Sequence, residues 1–310
     1  VGDALLVLLT YAAYVFIVVM YGGKAYRFAT LPMHLRWDLY PVMHEPTYRY
    51  GGSYYEHLQW WKEPRHRRFL RSFLFVLKDT FYLGEYFQRN KSYWSVLFPW
   101  HLGFILIITF HVLCFLAAVT MVLGFSVAFG SPDMLGRIFY YVILLSGACS
   151  FILGTFGSVG MMVKRLSDRD LRGFASPMNY FSYLFTLVVF LSGIHAWRAD
   201  PTFADYREFW TGVITFSPKG VQPASALHIV LFDMFLFYLP LTRSMHYITR
   251  FFAYFWVYWD DEPNVKGSER DKKIQELLGQ PVTWAAGHIQ SGKKWTELAM
   301  GMPADPQTNS

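Results

Sequence analysis

Ser92-Tyr93-Trp94-Ser95-Val96-Leu97-Phe98-Pro99-Trp100-His101-Leu102-Gly103-Phe104-Ile105-Leu106-Ile107-Ile108-Thr109-Phe110-His111-Val112-Leu113-Cys114 opens a stretch that contains no Asp, Glu, Lys or Arg as far as Pro132. About 20 apolar residues in a helix cross the hydrocarbon core of a bilayer, and this stretch is long enough. Two imidazoles, His101 and His111, lie ten residues apart inside it. An ionisable side chain in that setting is costly without a partner and marks a functional site by default.

Charge-free stretches recur from Ala4 to Gly23, from Ile138 to Val163 and from Gly173 to Trp197. A fifth apolar stretch, about Ala224 to Val257, is interrupted by Asp233, Arg243 and Arg250 and carries His228 and His246, eighteen residues apart. Charged residues make up 16% of the 310-residue chain, against about 25% in an ordinary soluble domain. The pattern predicts an all-α integral membrane five-helix bundle. Its parts are a first transmembrane helix over 1–23, a cytoplasmic platform over 24–91, a four-helix membrane core over 92–257 and a soluble tail over 258–310. The first stretch lacks a basic leader and a small-x-small cleavage pattern, so it is expected to be a retained span.

Basic residues orient the bundle. Lys24–Lys91, Lys164–Arg172 and the tail from Arg250 onward fall on one side of five alternating spans and hold 23 of the 28 Lys and Arg. The positive-inside rule places that side in the cytoplasm, with the N-terminus outside and the C-terminus inside. The net charge of +6 is thereby read as topology, and no nucleic-acid partner is expected. Cys114 and Cys149 both lie in apolar stretches and read as small packing residues. Neither a CxxC nor a CxxCH motif occurs, so an iron–sulfur cluster would have to belong to a partner.

Between the first two spans, Arg36–Pro41 and Tyr50–Tyr55 are rich in aromatic residues, Pro and Gly, and predict turns. From Arg65 to Gln88, Phe69, Leu70, Phe73, Leu74, Leu77, Phe81 and Tyr82 follow helical spacing. They predict an amphipathic helix that either lies in the membrane interface or packs on the protein. Gly147, Gly154, Gly157 and Gly160 line the third span and allow close approach of a helix or a flat cofactor. Gly103 could likewise make room for a cofactor edge. The outer loop from Arg198 to Pro223 reads as polar and irregular. The tail holds a polar helix candidate at Ser268–Leu278 but too few aliphatic residues for a core of its own.

The second and fifth spans are antiparallel, which sets His101 level with His246 and His111 nearer His228. Two bis-histidine sites result, each suited to one haem b. Zinc is disfavoured, because ligands about 15 and 27 Å apart along the helices at 1.5 Å per residue cannot converge on one ion. The spacings of ten and eighteen residues do not match, so a bend is required, and Pro240 can supply it. Arg243 is a candidate for a haem propionate or for snorkelling to the rim. His195 is a candidate for a quinone site, a propionate contact or simple packing, and Arg137 and Asp133 are further outer-side candidates. Asp233 can carry the proton of quinol chemistry or bond a neighbouring helix. His34, His44, His57, His66 and His288 lie in aqueous segments and need no such role.

These features resemble the NarI-like superfamily, the di-haem cytochrome b of the respiratory nitrate reductase gamma subunit. The long connection after the first span and the tail with Thr283-Trp284, His288-Ile289 and Gly292-Lys293-Lys294-Trp295 look more like the DsrM-, TmcC- and HmcE-type and heterodisulfide reductase membrane subunits. The resemblance implies two haem b groups, an inner one on His101 and His246 and an outer one on His111 and His228. It further implies menaquinone as substrate and a cytoplasmic iron–sulfur subunit as partner. Further membrane and periplasmic cytochrome c subunits are expected, in the inner (cytoplasmic) membrane of an anaerobic respirer. The competing reading is a membrane anchor or proton-conducting transport protein whose histidines bind no haem. A four-helix hydrogenase or formate dehydrogenase cytochrome b disagrees with the span count.

Overall fold

The computed structural model describes residues 2–30, 58, 59, 62, 69–242, 246, 248, 266–287 and 289–301. The Arg36–Pro41 and Tyr50–Tyr55 turns, Arg243, and His34, His44, His57, His66 and His288 lie outside them. Among the described residues the chain is helical, with no strand beyond isolated bridges. Five helical segments are long and apolar enough to cross a membrane: α1 (Gly2–Thr30), α4 (Lys91–Val122), α5 (Met134–Ser167), α7 (Pro177–Ala199) and α9 (Pro223–Tyr238) together with the 3-10 turn that carries it to Leu241. This is a multi-pass membrane protein. Between them lie α2 (Phe69–Tyr82), α3 (Gly84–Arg89), α6 (Arg169–Gly173) and α8 (Ala204–Ile214), and the tail adds α10 (Glu269–Leu278) and α11 (Trp295–Ala299).

The chain forms two compact units, the first comprising Val1–Met20 and Val76–Ser244. In this unit α4 packs on α5, α5 on α7 and α7 on α9, while α8 lies against α4. The outward faces are apolar, as at Leu145, Phe156 and Leu184, each more than half exposed. Lipid is as apolar as these side chains, so their burial cannot drive helix association; close packing and interhelical hydrogen bonds must do so. The glycines of α5 supply the packing. A Cβ at Gly157 would stand 2.2 Å from Trp100 N, and one on Gly103 of α4 would stand 2.6 Å from Gly154 Cα. Gly103 thus faces a helix backbone, and its expected role of admitting a cofactor edge gives way to helix contact. Ser150 Oγ donates to Gly103 O at 3.0 Å, and Ser158 and Thr186 hydroxyls pair at 3.3 Å. Phe110, Phe151, Phe190 and Ile107 fill the space between, all essentially inaccessible.

The fifth span is shorter than its apolar stretch. The α-helix ends at Tyr238, a 3-10 turn follows over Leu239–Leu241, and Thr242 is extended. Pro240 has no N–H to give the carbonyl of Leu236, and its ring crowds that carbonyl. The expected bend between His228 and His246 is therefore a helix break, and the even rise of eighteen residues does not apply. At the other end of the unit Leu83, in the left-handed region at φ 53°, separates α2 from α3. On α2, Leu70 and Leu74 are 69% and 55% exposed.

The second unit comprises Tyr21–Phe75 and Met245–Ser310. In its tail Ser268 Oγ caps α10 by accepting from Asp271 N at 3.1 Å. The chain then closes on itself: Val282 N donates to Lys293 O at 2.8 Å and Gly292 N to Val282 O at 2.7 Å, with Gly292 at φ +88° making the turn. Val282 is 2% exposed, so this segment has a small packed node where its composition promised none.

Candidate functional site: a paired-histidine centre

His111 on α4 and His228 on α9 meet in the core of the first unit. Their ring centroids are 5.6 Å apart and their planes lie within 15° of each other. His111 is 4% exposed and His228 0%. Neither Nε2 has a hydrogen-bond partner among the described residues. A buried polar atom left unpaired is rare and calls for an explanation.

The surroundings of His228 fix which nitrogen carries its proton. Nδ1 lies 3.1 Å from Val189 O and 2.9 Å from Ser192 Oγ, and the Ser192 hydroxyl itself donates to Val189 O at 2.7 Å. A carbonyl only accepts and the serine proton is committed to it, so the bonding pattern assigns the proton to Nδ1. Nε2 then bears a bare lone pair. A metal-binding histidine is arranged in this way, with its second nitrogen donating to a backbone carbonyl that orients the ring.

Aromatic rings enclose the pair. Phe232, one turn after His228, stacks on His111 at 3.7 Å, and Phe151 meets His228 edge-on at 5.1 Å. Tyr206 of α8 stands perpendicular to both imidazoles at 6.0 and 5.8 Å. Beside His111 lies a cavity of about 10 Å³, room for about one water, lined by Thr10, Tyr14, Trp210, Phe232 and Asp233. Asp233 is 1% exposed and accepts from Thr10 Oγ1 of α1 at 2.7 Å. The carboxyl thus bonds a neighbouring helix and at the same time borders the cavity at the histidine pair.

The other sequence candidates fall elsewhere. His195 is exposed on α7, Arg137 is exposed on α5 and Asp133 is half-buried before it. His101 lies half-buried on α4 in the first unit, whereas His246 belongs to the second. Tyr206, Ser192, Phe232 and Thr10 escaped the sequence reading. Only Tyr206 had a usable signal, since Tyr206, Phe209, Trp210 and Val213 recur at helical spacing in the loop that read as irregular.

Two imidazoles on opposite sides of one iron, with bonds of about 2 Å as metal–imidazole nitrogens have, need centroids roughly 6.5 Å apart. The observed 5.6 Å is within 1 Å of that. Among the described residues no three His, Cys, Asp or Glu side chains gather to hold a bare ion, while a porphyrin iron asks only two donors of the protein. The donor types are those a haem iron takes. The cavity of about 10 Å³ has no room for a macrocycle, and the rings of Phe232 and Tyr206 crowd the space beside both imidazoles, so this packing would have to open to admit one. The fold and site define a polytopic helical membrane protein with a buried paired-histidine centre. In comparisons with known proteins, no family model, curated protein or solved structure matches the chain.

Proposed function

We propose that the chain is the membrane cytochrome b subunit of a respiratory redox complex. It carries electrons through two haem b groups between menaquinone and a cytoplasmic iron–sulfur subunit of the heterodisulfide reductase type. The observation that supports this best is the His111–His228 pair, two buried and nearly parallel imidazoles whose Nε2 atoms lack partners among the described residues. A haem ligated by two imidazoles supplies one-electron transfer at an iron with no open position.

The chain's own residues then have defined tasks. His111 and His228 hold the outer haem, Val189 O and Ser192 fix the His228 tautomer, and the aromatic shell keeps water out. Asp233, tied to Thr10 at the cavity beside His111, accepts the proton that a quinol releases on oxidation. His101 and His246 hold the inner haem, Arg243 meets one of its propionates, and His195 borders the outer surface near the quinone. The charge asymmetry supports N-out and C-in in the cytoplasmic membrane. The sulfate-reduction complexes, with their further membrane and periplasmic cytochrome c subunits, are the assemblies that this sequence resembles.

A menaquinol analogue added to the oxidised protein in liposomes tests this reading. We expect b-type absorption bands to develop on addition, without any other reductant. If dithionite reduces the bands but the quinol does not, the quinone-linked role is wrong.

A further inference from the structure

On α2 the apolar side chains are the exposed ones. Leu70, Leu74, Leu77 and Phe81 recur at helical spacing within about 60° of one face, at 100° per residue, and are 69%, 55%, 37% and 47% exposed. Asp79, nine residues from Leu70, stands half a turn away on the opposite face and is buried at 9% exposure. A helix lying on a protein in water shows the reverse, with its apolar stripe toward the core and its charges outward. Lys78, beside the stripe, is exposed.

The stripe runs into the membrane-spanning surface. Leu83, 7% exposed and at φ 53°, ends α2; its N–H donates to Asp79 O at 3.2 Å and its carbonyl accepts from Phe87 N at 3.2 Å. α3 then leads into α4, where Asn90 Oδ1 accepts from Tyr93 N at 2.9 Å. Trp94 Nε1 donates back to Tyr82 O at 2.8 Å. The Tyr82 ring packs 5.4 Å from both Phe87 and Trp94 and 6.1 Å from Phe98. The end of α2 is thereby fixed at the level of the first two turns of α4. At 32 residues α4 is about 48 Å long, against about 30 Å of hydrocarbon. Its ends therefore reach the headgroup zone, where Trp and Tyr rings collect. Arg89 and Lys91 are exposed at the same level, and cations there meet lipid phosphates.

We propose that α2 is an interfacial helix. Its stripe lies at the boundary of headgroups and acyl chains in the leaflet at the Lys91 end of α4, with Lys78, Arg89 and Lys91 among the phosphates. A lipid surface suits the stripe better than a protein partner does. The stripe continues through Tyr82, Trp94 and Phe98 into the outward apolar surface of the spans, which lipid already covers, and cations flank it. This placement is independent of any bound haem.

The test is a nitroxide attached to the full-length protein in phosphatidylcholine–phosphatidylglycerol liposomes through Phe81→Cys or Leu74→Cys. The background is Cys149→Ala, since Cys114 is 0% exposed and out of reach of the reagent. Power saturation of the spin signal then compares collisions with oxygen, which concentrates among acyl chains, and with a water-soluble nickel chelate. Both labels should collide several-fold more with oxygen than with nickel, as a Leu184→Cys label on the outward face of α7 should. A Lys272→Cys label in the tail should show the opposite. Leu77→Cys replaces either variant that fails to accumulate. Labels on α2 that favour nickel would place the stripe in water and overturn the proposal. So would labels shielded from both, which would make a protein surface the occupant.

Discussion

Replacing His111 or His228 with Ala is expected to remove one haem from the purified protein and to leave the other. Each substitution would delete one of the two imidazoles proposed to hold the outer haem. A single imidazole on the opposite face cannot hold a b-type haem, which has no covalent link to the chain. The inner haem is proposed to involve His101, which lies ten residues from His111 on α4, about 15 Å at 1.5 Å per residue. At that distance the two sites are far enough apart for largely independent effects. Haem quantified per chain should therefore fall by half in either variant, and the double variant should resemble the singles because both remove the same group. Loss of both haems would mean that the pair supports the whole bundle. Loss of neither would mean that the pair is not the ligand set.

Replacing Gly157 with Leu prevents α4 and α5 from packing. Even a Cβ there would stand 2.2 Å from Trp100 N and 2.4 Å from Trp100 Cα. Backbone atoms cannot rotate aside as a side chain can, so the helices must separate. Inserting a few methylenes into a packed core costs about 1–3 kcal/mol even where side chains can yield, and here the cost should exceed that range. Gly173→Ala is the control, since nothing lies within 4 Å of its added Cβ. Thermal unfolding in detergent should show a large drop for Gly157→Leu and none for Gly173→Ala. An unchanged transition in the first would mean that the helices are not in contact at this point.

Most of the architecture is legible in the sequence because lipid imposes a simple rule: spanning segments must be helical, long and nearly free of charge. The stretches from Ala4, Ser92, Ile138 and Gly173 each hold one long helix for that reason, α4 ending at Val122 and α7 beginning at Pro177. The same rule does not report where a helix stops inside an apolar run. α9 ends at Tyr238 although apolar residues continue, because a missing N–H at Pro240 outweighs hydropathy. The meeting of His111 with His228 was legible because antiparallel helices bring matching depths together. Tyr206 and Ser192 were not, since each reaches the pair from another helix whose rotation depends on packing. Phe203 illustrates the limit: a bulky residue in the left-handed region is held there by the cage of Phe110, Phe151 and Gly147, and no local spacing announces it.

The most direct test of the account is the reduced-minus-oxidised absorption spectrum of the purified full-length protein, with haem quantified per chain. Two b-type haems with an α-band on reduction are predicted. A well-folded preparation, made with ample haem supply, that shows no α-band would contradict the account and leave a helical membrane protein whose histidines serve another purpose.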